Sequence, residues 1–231
     1  MNANNCAVPV LIASASWFTA QETQASVVLT PENDVVAIGR SGNPYTSESE
    51  FLQVINFAWA TQSHLKFDLG HLQGLGQATG YRLRLYEVDH GYSPDLKDDV
   101  IDLYTGTNDQ WVDSTPYAQL PVSQTLLDRL SQPAVGGQNV IGWAEWSFAP
   151  SAVAADIADG KLSLVVSNTQ QLSSGWNETR YYSSSQQVDP DFRPQLVIEG
   201  AVSVVPEPAA LSVLVSTSLL AMRRRRTARG C

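Results

Sequence analysis

The residues able to carry acid–base, nucleophilic or metal chemistry are few in kind and poorly spaced for it. His64, His71 and His90 fall into neither an H-x-x-x-H nor an H-E-x-x-H pattern, so no helical zinc site is encoded. No serine sits in G-x-S-x-G, and neither a P-loop nor a G-x-G-x-x-G run occurs. The two cysteines, Cys6 and Cys231, lie near the extremities, which leaves the middle of the chain without a thiol or a disulfide. Carboxylates are plentiful, 23 in all. Among so many, a pair at glycosidase separation can always be found, so their abundance is no sign of glycoside hydrolysis. These residues predict a non-catalytic protein.

Binding chemistry is better supplied. Six Trp and eight Tyr offer flat faces on which sugar rings can stack through their C–H groups. Tyr92, Tyr117 and Trp176 stand in or beside loop-like stretches and are the candidate glycan-binding residues, although burial at a sheet edge is the favoured reading of each. Trp111 is a weaker candidate of the same kind, and Trp143 and Trp146 are expected in the core. Asp95, Asp98 and Asp99, with Asp89 nearby, could offer hard oxygen ligands to a structural Ca²⁺, as could Asp189 and Asp191. Neither group has EF-hand spacing, and a solvated acidic loop accounts for both. No other cofactor is indicated.

The elements that must position these residues are strands. Residues 26–203 hold 9 basic residues against 21 acidic ones, a balance of −12, while the whole chain stands at −9. Such a surface repels a phosphate backbone, so nucleic acid is not an expected partner. Only 16% of residues are charged, against about 25% in ordinary globular domains. Strand patterns occupy Ser26–Leu29, Asp34–Ile38, Phe51–Phe57, His64–Leu69, Tyr81–Val88, Val100–Tyr104, Val140–Phe148, Leu162–Ser167, Thr179–Ser183 and Gln195–Glu199. The clearest is Tyr81–Val88, with Tyr81, Leu83 and Leu85 on one face and Arg82 and Arg84 on the other. Two segments predict short helices: Ser123–Leu130, capped by Ser123, and Ala149–Ala158, with Ser151 as its cap. The expected fold is all-β, an antiparallel, jelly-roll-like β-sandwich, without internal repeats or a dividing linker.

The ends differ from this body. Residues 1–25 contain an apolar run, Ala7–Phe18, and small residues before a possible cut, but no Lys or Arg ahead of the run; they read as an atypical signal peptide. Residues 204–231 begin with Pro206-Glu207-Pro208, continue as an apolar stretch from Ala209 to Met222, and finish with Arg223, Arg224, Arg225, Arg226 and Arg229. As a helix those 14 residues reach about 21 Å, short of a hydrocarbon core of about 30 Å. The physics describes a weak, transient membrane stop with its arginines on the cytoplasmic side. The ordered set of Pro-Glu-Pro, apolar stretch and arginine cluster resembles the PEP-CTERM sorting signal of Gram-negative bacteria. That resemblance implies an exosortase-type processing protease as a partner, transient membrane association, and export to the cell surface or an exopolysaccharide matrix.

A second resemblance lies in the body. Leu65-Lys66-Phe67-Asp68-Leu69, followed by Ala78 and Leu83-Arg84-Leu85-Tyr86, is similar to the DNRLRE domain and to carbohydrate-binding module family 96. Trp111-Val112-Asp113, Glu145-Trp146-Ser147-Phe148 and Arg193-Pro194-Gln195-Leu196 extend the likeness, although Gln195 stands where the family carries Arg. The resemblance implies a β-sandwich that binds an extracellular polysaccharide. The alternatives are a structural or adhesive surface protein without a discrete ligand, and a polysaccharide-active enzyme.

Overall fold

Runs in which β-branched and aromatic residues alternate with polar ones become strands throughout the chain. The structure, a computed structural model, describes residues 26–39, 45–47, 51–56, 60–92, 99–132, 142–169, 177–182, 189–200 and 202–204. In chain order the strands are β1 (Ser26–Leu29), β2 (Asn33–Gly39), β3 (Tyr45–Ser47), β4 (Phe51–Asn56), β5 (Ala60–Asp68), β6 (Leu72–Gln73), β7 (Ala78–Tyr92), β8 (Asp99–Gly106) and β9 (Ser123–Gln132). They continue as β10 (Gly142–Phe148), β11 (Lys161–Asn168), β12 (Asn177–Tyr182), β13 (Gln195–Gly200) and β14 (Ser203–Val204). One short α-helix, α1 (Pro150–Val153), follows β10.

Twelve strands form one antiparallel sheet that doubles back on itself, while β6 and β14 pair separately. One layer is β1-β13-β7-β10 and the other is β3-β2-β5-β11-β8-β9. Strands β12 and β4 join them, since β12 pairs with β7 and β4, and β4 pairs with β5. The architecture is therefore the antiparallel, sandwich-like all-β one that the strand pattern predicts.

Between the layers lies a single apolar core. Tyr81, Leu83 and Leu85 of β7 and Trp146 and Phe148 of β10 face Leu65 and Phe67 of β5, Leu164 and Val166 of β11, and Ile101 and Leu103 of β8. Burying each such side chain contributes about 1.5–3 kcal/mol. The Trp146 indole N–H donates across the layers to the Ile101 carbonyl at 3.1 Å, so its one polar atom is satisfied. At the open side of the sandwich, Asp128 Oδ2 on β9 accepts a hydrogen bond from the Ser147 backbone N–H on β10 at 2.8 Å.

Several expectations are corrected. Ser123–Leu130 is not a helix but most of β9, paired with β8 from Gly106 back to Asp99. Its helical spacing of Leu126, Leu127 and Leu130 arises because the register shifts near Tyr104 insert residues and reset the alternation. Ser151 does not cap α1; the cap position is Ala149, and Pro150 starts the helix. The remainder of the predicted 149–158 segment is largely a 3₁₀ turn, Asp156–Asp159. His90, read as a loop residue, and Asp89 lie within β7, and Asp99 opens β8. The segments 1–25 and 205–231, with Pro206, Glu207, Pro208 and the arginine cluster, lie outside the described residues. No helix among the described residues is long and apolar enough to cross a membrane.

Candidate functional site

Alternation on β7 decides what the first layer shows to solvent. With Tyr81, Leu83 and Leu85 turned inward, Gly80, Arg82, Arg84 and Tyr86 line the outer face. Register then sets their neighbours. On β10, Trp143 stands opposite Tyr86, Glu145 opposite Arg84 and Ser147 opposite Arg82. On β13, Gln195 stands opposite Arg84 and Glu199 opposite Gly80. Three strands thus bring together residues that are more than 60 positions apart in sequence.

The charges on this face neutralise each other. Arg84 Nε donates to Glu145 Oε1 at 2.7 Å and its Nη1 to Gln195 Oε1 at 3.1 Å. Arg82 donates to the other Glu145 oxygen at 3.4 Å and also to Glu199. A single carboxylate bridges two guanidinium groups, and the sum of the four side chains is zero. All four remain partly exposed, from 27% for Arg84 to 39% for Glu199. They keep donors and acceptors facing water that a polyhydroxylated ligand can use.

Beside the charges is an aromatic group. The Tyr86 ring meets Trp143 edge-on at 5.4 Å, lies 4.5 Å from Phe192 and stacks toward Tyr182 at 6.2 Å; Tyr182 in turn stacks with Phe51 at 5.6 Å. The Arg84 guanidinium lies 4.3 Å from the Trp143 ring centre, within cation–π range. The rings are half-buried, so each gives part of its surface to packing and part to solvent. At the far end of the stripe Gly80, lacking a side chain, leaves a shallow depression of about 430 Å³ lined by Thr79, Arg82, Glu145, Ser147 and Glu199.

The outer face of the second layer is closed instead. Residues 107–122 form a loop whose ends are tied together: Thr107 N donates to the Val122 carbonyl at 3.1 Å, and Val122 N to Thr107 Oγ1 at 3.0 Å. At its base Gly106 makes room for Pro121; a Cβ there would stand 2.8 Å from the Pro121 Cβ. The loop lays Trp111 and Leu120 over Val35 and Ala37 of β2 as a second small core. Trp111 donates its indole N–H to Ser163 Oγ at 2.8 Å, and its carbonyl accepts from Lys66 Nζ. Asp34 N donates to Asp113 Oδ1 at 3.0 Å. Burial alone would raise the Glu32 carboxyl, but hydrogen bonds from Lys161 and Lys66 hold it below the ordinary range. His64 is buried with its ring 6.2 Å from Trp111, neither ring nitrogen has a partner among the described residues, and burial pushes its pKa down to about 4.

The residues singled out from sequence are dispersed. Tyr117 is exposed on the 3₁₀ turn Tyr117–Gln119 of the covering loop, on the opposite side of the sandwich from Tyr86. Trp111 is a buried anchor. Tyr92 ends β7, opposite Asn177 of β12, rather than standing in a loop; Trp176, Asp95 and Asp98 lie outside the described residues. Asp189 caps the 3₁₀ turn Pro190–Phe192 by accepting from Asp191 N at 3.0 Å. Among the described residues no group of three or more His, Cys, Asp or Glu is placed to hold a metal ion. Trp146 is in the core as expected, but Trp143 is not: three residues apart on a strand, the two must face opposite sides. The signal for Tyr86 and Trp143 was therefore present in the alternation, whereas the pairing with Glu145, Gln195 and Phe192 was not. No protein-family model and no curated protein matches this chain.

Proposed function

We propose that this chain is an exported surface or matrix protein whose β-sandwich binds a glycan, without catalysis, on the outer face of β13, β7 and β10. The observation that carries the reading is the stripe in which Tyr86 and Trp143 adjoin the Arg84–Glu145–Arg82 bridge. Sugars present apolar C–H faces and ringed hydroxyls together, and an aromatic surface beside fixed donors and acceptors answers both. The likeness of the body to DNRLRE and family 96 carbohydrate-binding domains supports the same ligand class. The likeness of residues 204–231 to a PEP-CTERM signal supports export, transient membrane retention and removal of the tail by an exosortase-type protease.

A glycan array probed with the full-length protein in mild detergent tests the binding half. Capture of a polysaccharide, lost in Trp143→Ala, supports it. Absence of binding to any glycan sinks it in favour of a structural or adhesive role, in which the same aromatics serve packing alone. The sorting half is tested by the mass of the protein recovered from producing cells. A mass that retains the terminal arginines overturns it.

A further inference from the structure

We infer that the ligand of this face is a neutral, linear polysaccharide lying along β7, with the depression at Gly80 receiving one end of the bound segment. The inference rests on the glycan reading above and narrows it.

Direction comes from the rows. Tyr86, Arg84, Arg82 and Gly80 are alternate residues of one strand, so at about 3.3 Å per residue the stripe runs about 20 Å. Across its ion-paired part, partner side chains come from the two flanking strands, about 4.8 Å to either side, while Tyr182, Phe192 and Phe51 widen the aromatic end. The feature is longer than it is wide, an outline that suits an extended chain better than a compact sugar. Its composition changes along that length, from aromatic at Tyr86 and Trp143, through the ion pairs, to the open polar dip at Gly80.

Charge decides the class. Both arginines on the stripe are already matched on the stripe itself, by Glu145 and Glu199. Both carboxylates also line the depression, where a uronate or sulfate would meet them directly. The chain as a whole carries −9, which adds long-range repulsion of any polyanion. Hydroxyl groups, by contrast, can donate to the Glu145 and Glu199 oxygens and accept from Arg82 without breaking either pair.

The test uses the full-length protein with two soluble probes of similar length, a neutral β-glucan and polygalacturonate. Four proteins are compared: wild type, Trp143→Ala, Gly80→Val and Glu199→Gln. Gly80 has ordinary strand dihedrals, and a Cβ there meets Glu199 Oε2 at 3.4 Å, an ordinary contact, so valine fills the dip within the fold. Glu199→Gln is the second variant of the depression, and both are checked by thermal unfolding. The glucan should bind at least about tenfold more tightly than polygalacturonate. Its affinity should change less than about twofold between 0.05 and 0.5 M salt. Gly80→Val or Glu199→Gln should weaken it at least about fivefold. Tighter binding of polygalacturonate, or glucan binding abolished by Trp143→Ala yet untouched by both pocket variants, overturns this inference and leaves the glycan reading standing. Failure of wild type to bind either probe or any other glycan overturns both.

Discussion

The two outer faces of the sandwich were made by the same strand geometry and met opposite fates. On β7 and β10 the outward residues are Arg82, Arg84, Tyr86, Trp143, Glu145 and Ser147, and that face is open to water. On β2, β5 and β11 the outward residues include Val35, Ala37, His64, Lys66, Ser163 and Val165, and that face is covered by residues 107–122. Strands that alternate cleanly leave one side for solvent. Strands such as Leu162–Asn168, buried at every one of these positions, need a lid on the second side. The covered face spends its chemistry on holding the loop down, whereas the open face satisfies its charges pairwise and still shows them to water.

The comparison can be broken most forcefully at Trp111. Trp111→Ala removes the buried anchor of the loop and its bond to Ser163, and should cost about 3–5 kcal/mol in urea unfolding. A loss below about 1 kcal/mol would show that the loop is not integral to the fold.

Acid should loosen the covered face next. Unfolded, His64 takes a proton near its ordinary pKa of 6.5; folded, it resists until about pH 4. Between those values the unfolded state binds more protons, so stability is full above pH 6.5 and falls by about 3 kcal/mol as pH drops to 4. The carboxyls of Glu32 and Asp68 are held below their ordinary range, so their contributions are full above their ordinary pKa values and are lost as pH falls through the lowered ones. His64→Leu should flatten the pH 4–6.5 slope in denaturation curves and leave stability at pH 7 equal or higher, because two ring nitrogens without a partner among the described residues leave the interior. An unchanged slope refutes the assignment.

Lys66→Met should follow at about 1–3 kcal/mol, since the Trp111 carbonyl and one contact of Glu32 lose their donor while the aliphatic stem is kept. The smallest effects belong to the open face. Arg82→Gln should change stability by less than about 1 kcal/mol, because its ion pairs are one-third exposed. A cost as large as that at Lys66 would mean that the stripe is structural rather than available for binding.

The layered fold was legible because burial leaves a period of two. Tyr81–Val88 and Gln195–Glu199 could be assigned to strands and to faces from sequence alone. Ser123–Leu130 could not, because a register shift in an edge strand imitates helical spacing and only pairing with β8 resolves it. The open face was half visible. Arg82, Arg84 and Tyr86 share a side by alternation, but Glu145 and Glu199 are two acids among 23, and nothing local marks them as the partners of Arg82. Tyr117 stands out in the sequence as a loop aromatic and is exposed, yet it lies on the covering loop, on the opposite side of the sandwich from Tyr86 and Trp143. Proximity across more than 60 residues is a property of register, which composition does not record.

The bond from Ser147 N to Asp128 has a consequence for crowding. Among the described residues strands β9 and β10 each pair with one neighbour, so there both present an edge on the same side of the sandwich. An exposed edge donor is an invitation to a strand from another copy. Asp128 occupies that donor with a side chain and sets a carboxylate at the seam, so an incoming strand would have to displace it and leave a charge without its partner. In a crowded solution this small plug disfavours fusion of copies into fibrils along their edges.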